Sequence, residues 1–207
     1  ASGKGTVSGA LLPSFHLSGE ADLAVTGFSL TARPFDAPAS QGRQILGFEQ
    51  AKVHTGLKFL PDRAELGPFE VGTEKSSVKG HATLFFEAQK GMDIRGRLED
   101  VDLADLKHIA TVQWAGKGSG DFSVVGPYVD PDVEAAVSLR DFELWDLKLG
   151  VVQGKVLYDD LKLSFSGLVA QKGKTQYFGS ASLSSFSLDD GPVLELLAQV
   201  PHGRCED

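Results

Sequence analysis

Chemistry in this chain would have to come from five histidines, one cysteine and a few paired carboxylates, and none of them is spaced for it. His16, His54, His81, His108 and His202 each stand among polar neighbours, at no metal-ligand spacing and in no ligand set with Cys205. Their natural home is a solvated strand face. Asp130-Pro131-Asp132 has the look of a metal-binding pair, but Asp-Pro ahead of a strand is ordinary turn chemistry, and Asp159-Asp160 and Asp189-Asp190 mark turns in the same way. Adjacent carboxylates on an extended segment point to opposite faces, so they make poor general acid and base partners. Gly116-Lys117-Gly118-Ser119-Gly120 is not a phosphate cradle, because Asp121-Phe122-Ser123-Val124 follows as an alternating strand where a helix N-terminus is required. Nor is it a nucleophile elbow, since its middle residue is glycine rather than serine. These residues predict a protein that is not an enzyme and holds no metal and no cofactor.

The elements around them are strands. Phe15, Leu17, Ala21, Leu23 and Val25 alternate with His16, Ser18, Glu20, Asp22 and Ala24, and Ala51, Val53, Leu57 and Phe59 alternate with Lys52, His54 and Lys58. Downstream, Val133, Ala135, Val137 and Leu139 alternate with polar residues, as do Leu161, Leu163, Phe165 and Val169. A period of two places each apolar set on one face of a strand. Gly27, Gly72, Gly91, Gly150 and Gly173 fall between such runs and predict hairpin turns with positive φ. The pattern gives about a dozen strands in a meander. Val101 to Ile109 reads either as a short helical turn with Leu103 and Leu106 inward or as an extended continuation.

The chain also repeats itself. Gly3-Lys4-Gly5 returns as Gly116-Lys117-Gly118, Phe28-Ser29-Leu30 as Phe142-Glu143-Leu144, and Lys52-Val53 before Leu57-Lys58-Phe59 as Lys155-Val156 before Leu161-Lys162-Leu163. This predicts a first β repeat over 1–115 and a second over 116–207. The first carries a Pro/Gly/Ser-rich loop insertion over about 33–47. Gly96-Arg97-Leu98-Glu99-Asp100 recurs as Gly203-Arg204-Cys205-Glu206-Asp207, so the second copy reads as truncated and the chain as a segment of a longer repetitive protein. No signal peptide is visible, and no apolar run reaches the roughly 18 residues that a membrane helix needs. A formal charge of −8, with lysines spread singly along the strands, argues against a nucleic-acid partner. One cysteine excludes an internal disulfide framework.

An antiparallel sheet with one wet and one dry face must cover the dry one. A closed barrel or sandwich would cover it with its own strands. An outer-membrane barrel would turn it to lipid, but two Trp and three Tyr build no aromatic girdles. An open, strongly curved sheet would leave it lining a trough, an arrangement that suits an extensible repeat.

The run Gly116 to Pro131, then Ala136-Val137-Ser138-Leu139, Leu147-Lys148-Leu149-Gly150, Gly154-Lys155-Val156 and Gly179-Ser180-Ala181-Ser182-Leu183, resembles the TamB and AsmA-like family, whose motifs are glycine-spaced strands and Gly/Pro turns. The first copy departs from it, with Leu11-Leu12-Pro13-Ser14 in place of the Gly-Pro-Tyr turn. The resemblance implies an all-β fold: an extended, curved antiparallel sheet forming an open hydrophobic groove, the repeating β-groove or β-taco. It also implies a periplasmic setting in a Gram-negative envelope, with an inner-membrane anchor elsewhere in the parent protein and an outer-membrane assembly partner of the TamA/BamA type. The implied cargo is the acyl chains of phospholipids moving between the two membranes. The candidate groove residues, taken from the best-patterned strands, are Leu17, Leu23, Val53, Leu57, Phe59, Leu84, Phe86, Val137, Leu139, Leu163, Phe165 and Leu183. The competing reading is a structural or adhesive β-repeat with a closed, sandwich-like core that binds proteins.

Overall fold

Alternation with period two over most of the chain produces strands and almost nothing else. The computed structural model describes residues 2–10, 16–32, 43–106, 113–128, 130–159, 162–184 and 193–201. Within them run β1 (Ser2–Ala10), β2 (His16–Ala32), β3 (Arg43–Phe59), β4 (Arg63–Gly72), β5 (Ser77–Phe85), β6 (Met92–Asp102), β7 (Trp114–Gly126), β8 (Asp132–Leu144), β9 (Leu147–Asp159), β10 (Lys162–Lys172), β11 (Thr175–Ser184) and β12 (Val193–Gln199). They pair antiparallel in chain order as one twelve-stranded sheet, with β1 at one edge and β12 at the other. The sheet is open. Among the described residues it neither closes into a barrel nor meets a second sheet, so the closed sandwich does not form. The ambiguous segment after Val101 resolves into strand as far as Asp102 and then a single 3₁₀ turn, Leu103–Leu106, which lies against β3 and buries Leu103.

Sequence periodicity misplaces several details. β2 and β3 are 17 residues each, so Gly27 lies inside a strand rather than at a turn, and Arg43–Gly47 belong to β3 rather than to the inserted loop. Gly72 ends β4 without positive φ, whereas Gly91 and Gly173 do supply it, at 61° and 58°. Gly150 sits inside β9, and the hairpin turn there is Trp145-Asp146. Val169 lies on the opposite face from Leu163 and Phe165. The cause is an extra residue in β10 at Ser166-Gly167, where Gly167 has φ 58°, which passes the inward position to Leu168 and Ala170. Phe15, residues 33–42, His108, Leu161, Asp160, Asp189, Asp190 and residues 202–207 lie outside the described residues.

Similar bulges recur along the sheet: between Gln44 and Leu46 in β3, at Gly67-Pro68 in β4, at Asp100 in β6, at Asp141 in β8, between Lys148 and Gly150 in β9 and at Ser166-Gly167 in β10. Asp100 and Asp141 both adopt positive φ, 50° and 52°. Each bulge bends its strand and increases local twist, so the set rolls the sheet. The roll is visible in one contact. Leu183 in β11 is 3% exposed and packs against Trp114 of β7 and Leu144 of β8. In register, Leu183 aligns instead with Val124 of β7, ten residues along the strand from Trp114. In a flat sheet that separation is about 33 Å at roughly 3.3 Å per residue, so the face bearing Trp114, Leu144 and Leu183 must fold towards itself.

The sheet nevertheless stays open. The chain exposes 13488 Å², against about 9,300 Å² for a compact globular protein of its mass. Half of the buried apolar residues among those described are alanines, Ala51, Ala64, Ala82 and Ala170, and of the leucines only Leu103 and Leu183 are buried, while many large side chains are exposed.

Candidate functional site

Cross-strand register assembles the candidate site. Residues directly opposite in adjacent strands share a face, and one such row crosses all twelve strands: Val7, Gly19, Leu57, Leu66, Ala82, Ile94, Val124, Val133, Tyr158, Leu163, Leu183, Leu194. The next row on the same face runs Gly5, Ala21, Thr55, Phe69, Gly80, Gly96, Phe122, Ala135, Val156, Phe165, Ala181, Leu196. Thr55 and Tyr158 are the two members of these rows that carry a hydroxyl; that of Thr55 donates to Gly56 O at 3.0 Å.

Eleven of the twelve residues expected from sequence fall on this face. Leu57, Leu163 and Leu183 share the first row and Phe165 lies in the second. Leu23 aligns with Val53, and Val137 continues the same row across β4 to β7. Leu17, Phe59 and Leu84 form a row nearer one set of strand ends, and Leu139 aligns with Gly118 and Val152 nearer the other. Phe86 does not join them. It lies just past the end of β5, is 58% exposed, and donates its N–H to Asp62 O at 2.9 Å.

The lining has a recurring construction: a large side chain leans over a glycine on the neighbouring strand. A methyl group at Gly80 would stand 2.8 Å from Phe69 Cζ, and one at Gly96 would stand 2.7 Å from Phe122 Cε1. Leu139 Cδ2 covers Gly118 in the same way, and Leu168 Cδ2 covers Gly154. On the inner side of a curved sheet the side chains converge, and glycine makes room for the neighbour's bulk. Sequence reasoning missed Phe69, Phe122, Trp114 and Leu168. The first three were available from alternation with Val71, Val124 and Gly116, whereas Leu168 was hidden by the bulge before it. The Trp114 indole Nε1 is buried without an acceptor among the described residues.

The other face is a ladder of charge. Lys4, Asp22, His54, Glu70, Lys79, Arg97 and Asp121 stand in register across seven strands. Protonated Nδ1 of His54 donates to Asp22 Oδ1 at 2.6 Å, and this hydrogen bond, reinforced by the carboxylate's charge, raises the His54 pKa above its ordinary value. Lys79 bonds Glu99 at 2.9 Å, and Arg63 Nε donates to Glu65 at 2.8 Å, holding the Glu65 pKa below its ordinary value. His16 and His81 are exposed. A shallow hollow of about 810 Å³ opens on this face over β1 to β4, lined by Lys4, Asp22, Lys52, His54 and Glu70. It is wide and solvated, and its cations and anions alternate, so it offers no single-signed charge for a ligand.

Among the described residues no group of three or more His, Cys, Asp or Glu side chains is placed to hold a metal ion, and no helix is long and apolar enough to cross a membrane. No family model, curated protein or solved structure matches the chain. What the chain offers is the sheet itself. It has one continuous, half-covered apolar face, one charged face, and no convergent set of reactive groups among the described residues.

Proposed function

We propose that the chain is a segment of a lipid-carrying β-groove of the TamB and AsmA-like kind, in which phospholipid acyl chains lie against the apolar face. The parent protein would act in the periplasm of a Gram-negative bacterium, anchored in the inner membrane and engaged with an outer-membrane assembly protein, and would supply phospholipid for outer-membrane biogenesis. The observation that supports this reading is the pair of apolar rows that cross all twelve strands with no second sheet packed on them among the described residues. Ordinary monomers expose apolar patches of only a few hundred Å²; a face of this extent marks a surface covered in use. Transfer of one methylene from water to an apolar surface is worth about 0.8 kcal/mol, so a tail is held without any specific polar group. Photo-crosslinking tests it. A photoreactive residue at Leu139 or Phe165 should capture phospholipid in cells, whereas one at Lys162, exposed at the first position of β10, should not. Equal capture at all three positions, or capture at none, overturns the reading.

A further inference from the structure

Both tryptophans of the chain sit at one end of the sheet. Trp114 opens β7 on the apolar face, and Trp145 is the first residue of the two-residue turn between β8 and β9, with its N–H donated to Gln113 O at 2.8 Å. Trp145 has φ 50°, at a place in a tight hairpin that ordinarily goes to glycine. It is 49% exposed, and Leu147, which follows the turn, is 51% exposed. Leu147 stands opposite Leu144, and Leu144 packs on Leu183, so the tip carries the apolar face past its last row and out into water. Turn tips are normally polar; this one pairs an indole with a leucine.

We propose that the β8–β9 tip seats this end of the sheet on a phospholipid bilayer. An indole has an apolar body and a polar N–H, the combination that settles at the headgroup level of a membrane, and a neighbouring leucine adds apolar depth. Lys148 in the same hairpin and Lys172 and Lys174 at the next turn on that end bring cations to the headgroup phosphates, while Asp146 and Glu143 temper the charge. The occupant is therefore the bilayer surface rather than a strongly acidic protein. The anchor goes beyond the carrying role, because docking on a membrane and holding a lipid are separate events.

The test is flotation of the full 207-residue chain with phosphatidylcholine vesicles, with and without added phosphatidylglycerol. The chain should float, and Trp145→Gly should reduce binding by about tenfold. Glycine suits the positive φ, so this variant should keep its melting temperature and separate lost docking from lost fold. Leu147→Ser should also weaken binding. Absence of flotation with both vesicle types, or flotation of Trp145→Gly equal to that of the parent, overturns the proposal. Phospholipid recovered with the purified protein reports on the groove alone: protein that floats but carries no lipid sustains the anchor and removes the carrying role.

Discussion

Leu183→Ala and Leu23→Ala make the same chemical change in the same face of the same sheet, yet they should have very different effects. Leu183 is 3% exposed and touches Trp114 and Leu144 across the roll of the sheet and Leu163 on the adjacent strand, whereas Leu23 is 38% exposed and aligned with Val53. A buried leucine cut to alanine costs about 2–5 kcal/mol, because transfer energy and residual cavity add. Leu183 should fall near 3 kcal/mol, since Trp114 and Leu144 can relax only by unrolling strands. At Leu23 water already reaches the side chain, so only part of the roughly 1.5–3 kcal/mol of a fully buried leucine is at stake and the loss should stay near 1 kcal/mol. At about 2–4 °C per kcal/mol for a chain of this size, the melting temperature should drop by roughly 6–12 °C in one variant and by roughly 2–4 °C in the other. Differential scanning calorimetry on both, with urea midpoints as a second measure, checks the contrast. Equal losses at the two positions would mean that the apolar face is covered along its length, and the open-groove reasoning would fail with them.

The bulge in β10 makes Val169→Lys nearly silent, within about 0.5 kcal/mol, while Leu168→Lys, which strips the cover from Gly154, should cost about 1–3 kcal/mol in urea unfolding. His54 should titrate above its ordinary 6.5 by NMR and move down towards it in Asp22→Asn. Because the folded value is the raised one, the pair's contribution is fully present below the unfolded pKa and disappears as pH climbs through the folded one. Val137→Arg places a charge in the middle of an apolar row and should lower phospholipid recovery per mole of protein in mass spectrometry, with circular dichroism unchanged. On β12, Val193, Leu196 and Leu197 are 50%, 57% and 66% exposed, and no lysine, proline or bulge protects the free edge. Leu197→Lys should therefore reduce concentration-dependent self-association in sedimentation velocity.

Sequence alternation made the fold class and most of the inward residues legible, because a period of two fixes which face a side chain takes for as long as the strand is regular. β8 shows this best: Val133, Ala135, Val137 and Leu139 all land on the apolar face. Reading fails where a residue is inserted. In Ser166-Gly167-Leu168-Val169 the one sign of a slip is Gly167, a lone glycine inside a strand, and alternation read straight through it assigns Val169 to the wrong side. Asp100, Asp141 and Trp145 take positive φ without being glycine, so turns and bends there carry no glycine signal, while Gly27 and Gly150 give that signal within strands. The roll that brings Leu183 to Trp114 is the sum of several bulges and is invisible to any local window.

The glycines of the lining bear most directly on whether such a face can release what it holds. A groove that carries a tail must bind every part of it about equally, since any pocket deeper than its neighbours by 1.4 kcal/mol slows departure about tenfold. A face of uninterrupted leucine and phenylalanine would be ridged, with holes between the ridges. Here Phe69 lies over Gly80, Phe122 over Gly96, Leu139 over Gly118 and Leu168 over Gly154, so the largest side chains lie down across the smallest positions and the relief is levelled. Restoring the relief should trap the cargo rather than expel it. Ala135→Phe, in the row between Phe122 and Val156, adds a standing ring without meeting a glycine. Purified from cells, it should retain at least as much phospholipid as the parent and hand it to acceptor vesicles more slowly in a fluorescent-lipid transfer assay. Transfer as fast as the parent's would show that smoothness of the lining is not what lets a tail move.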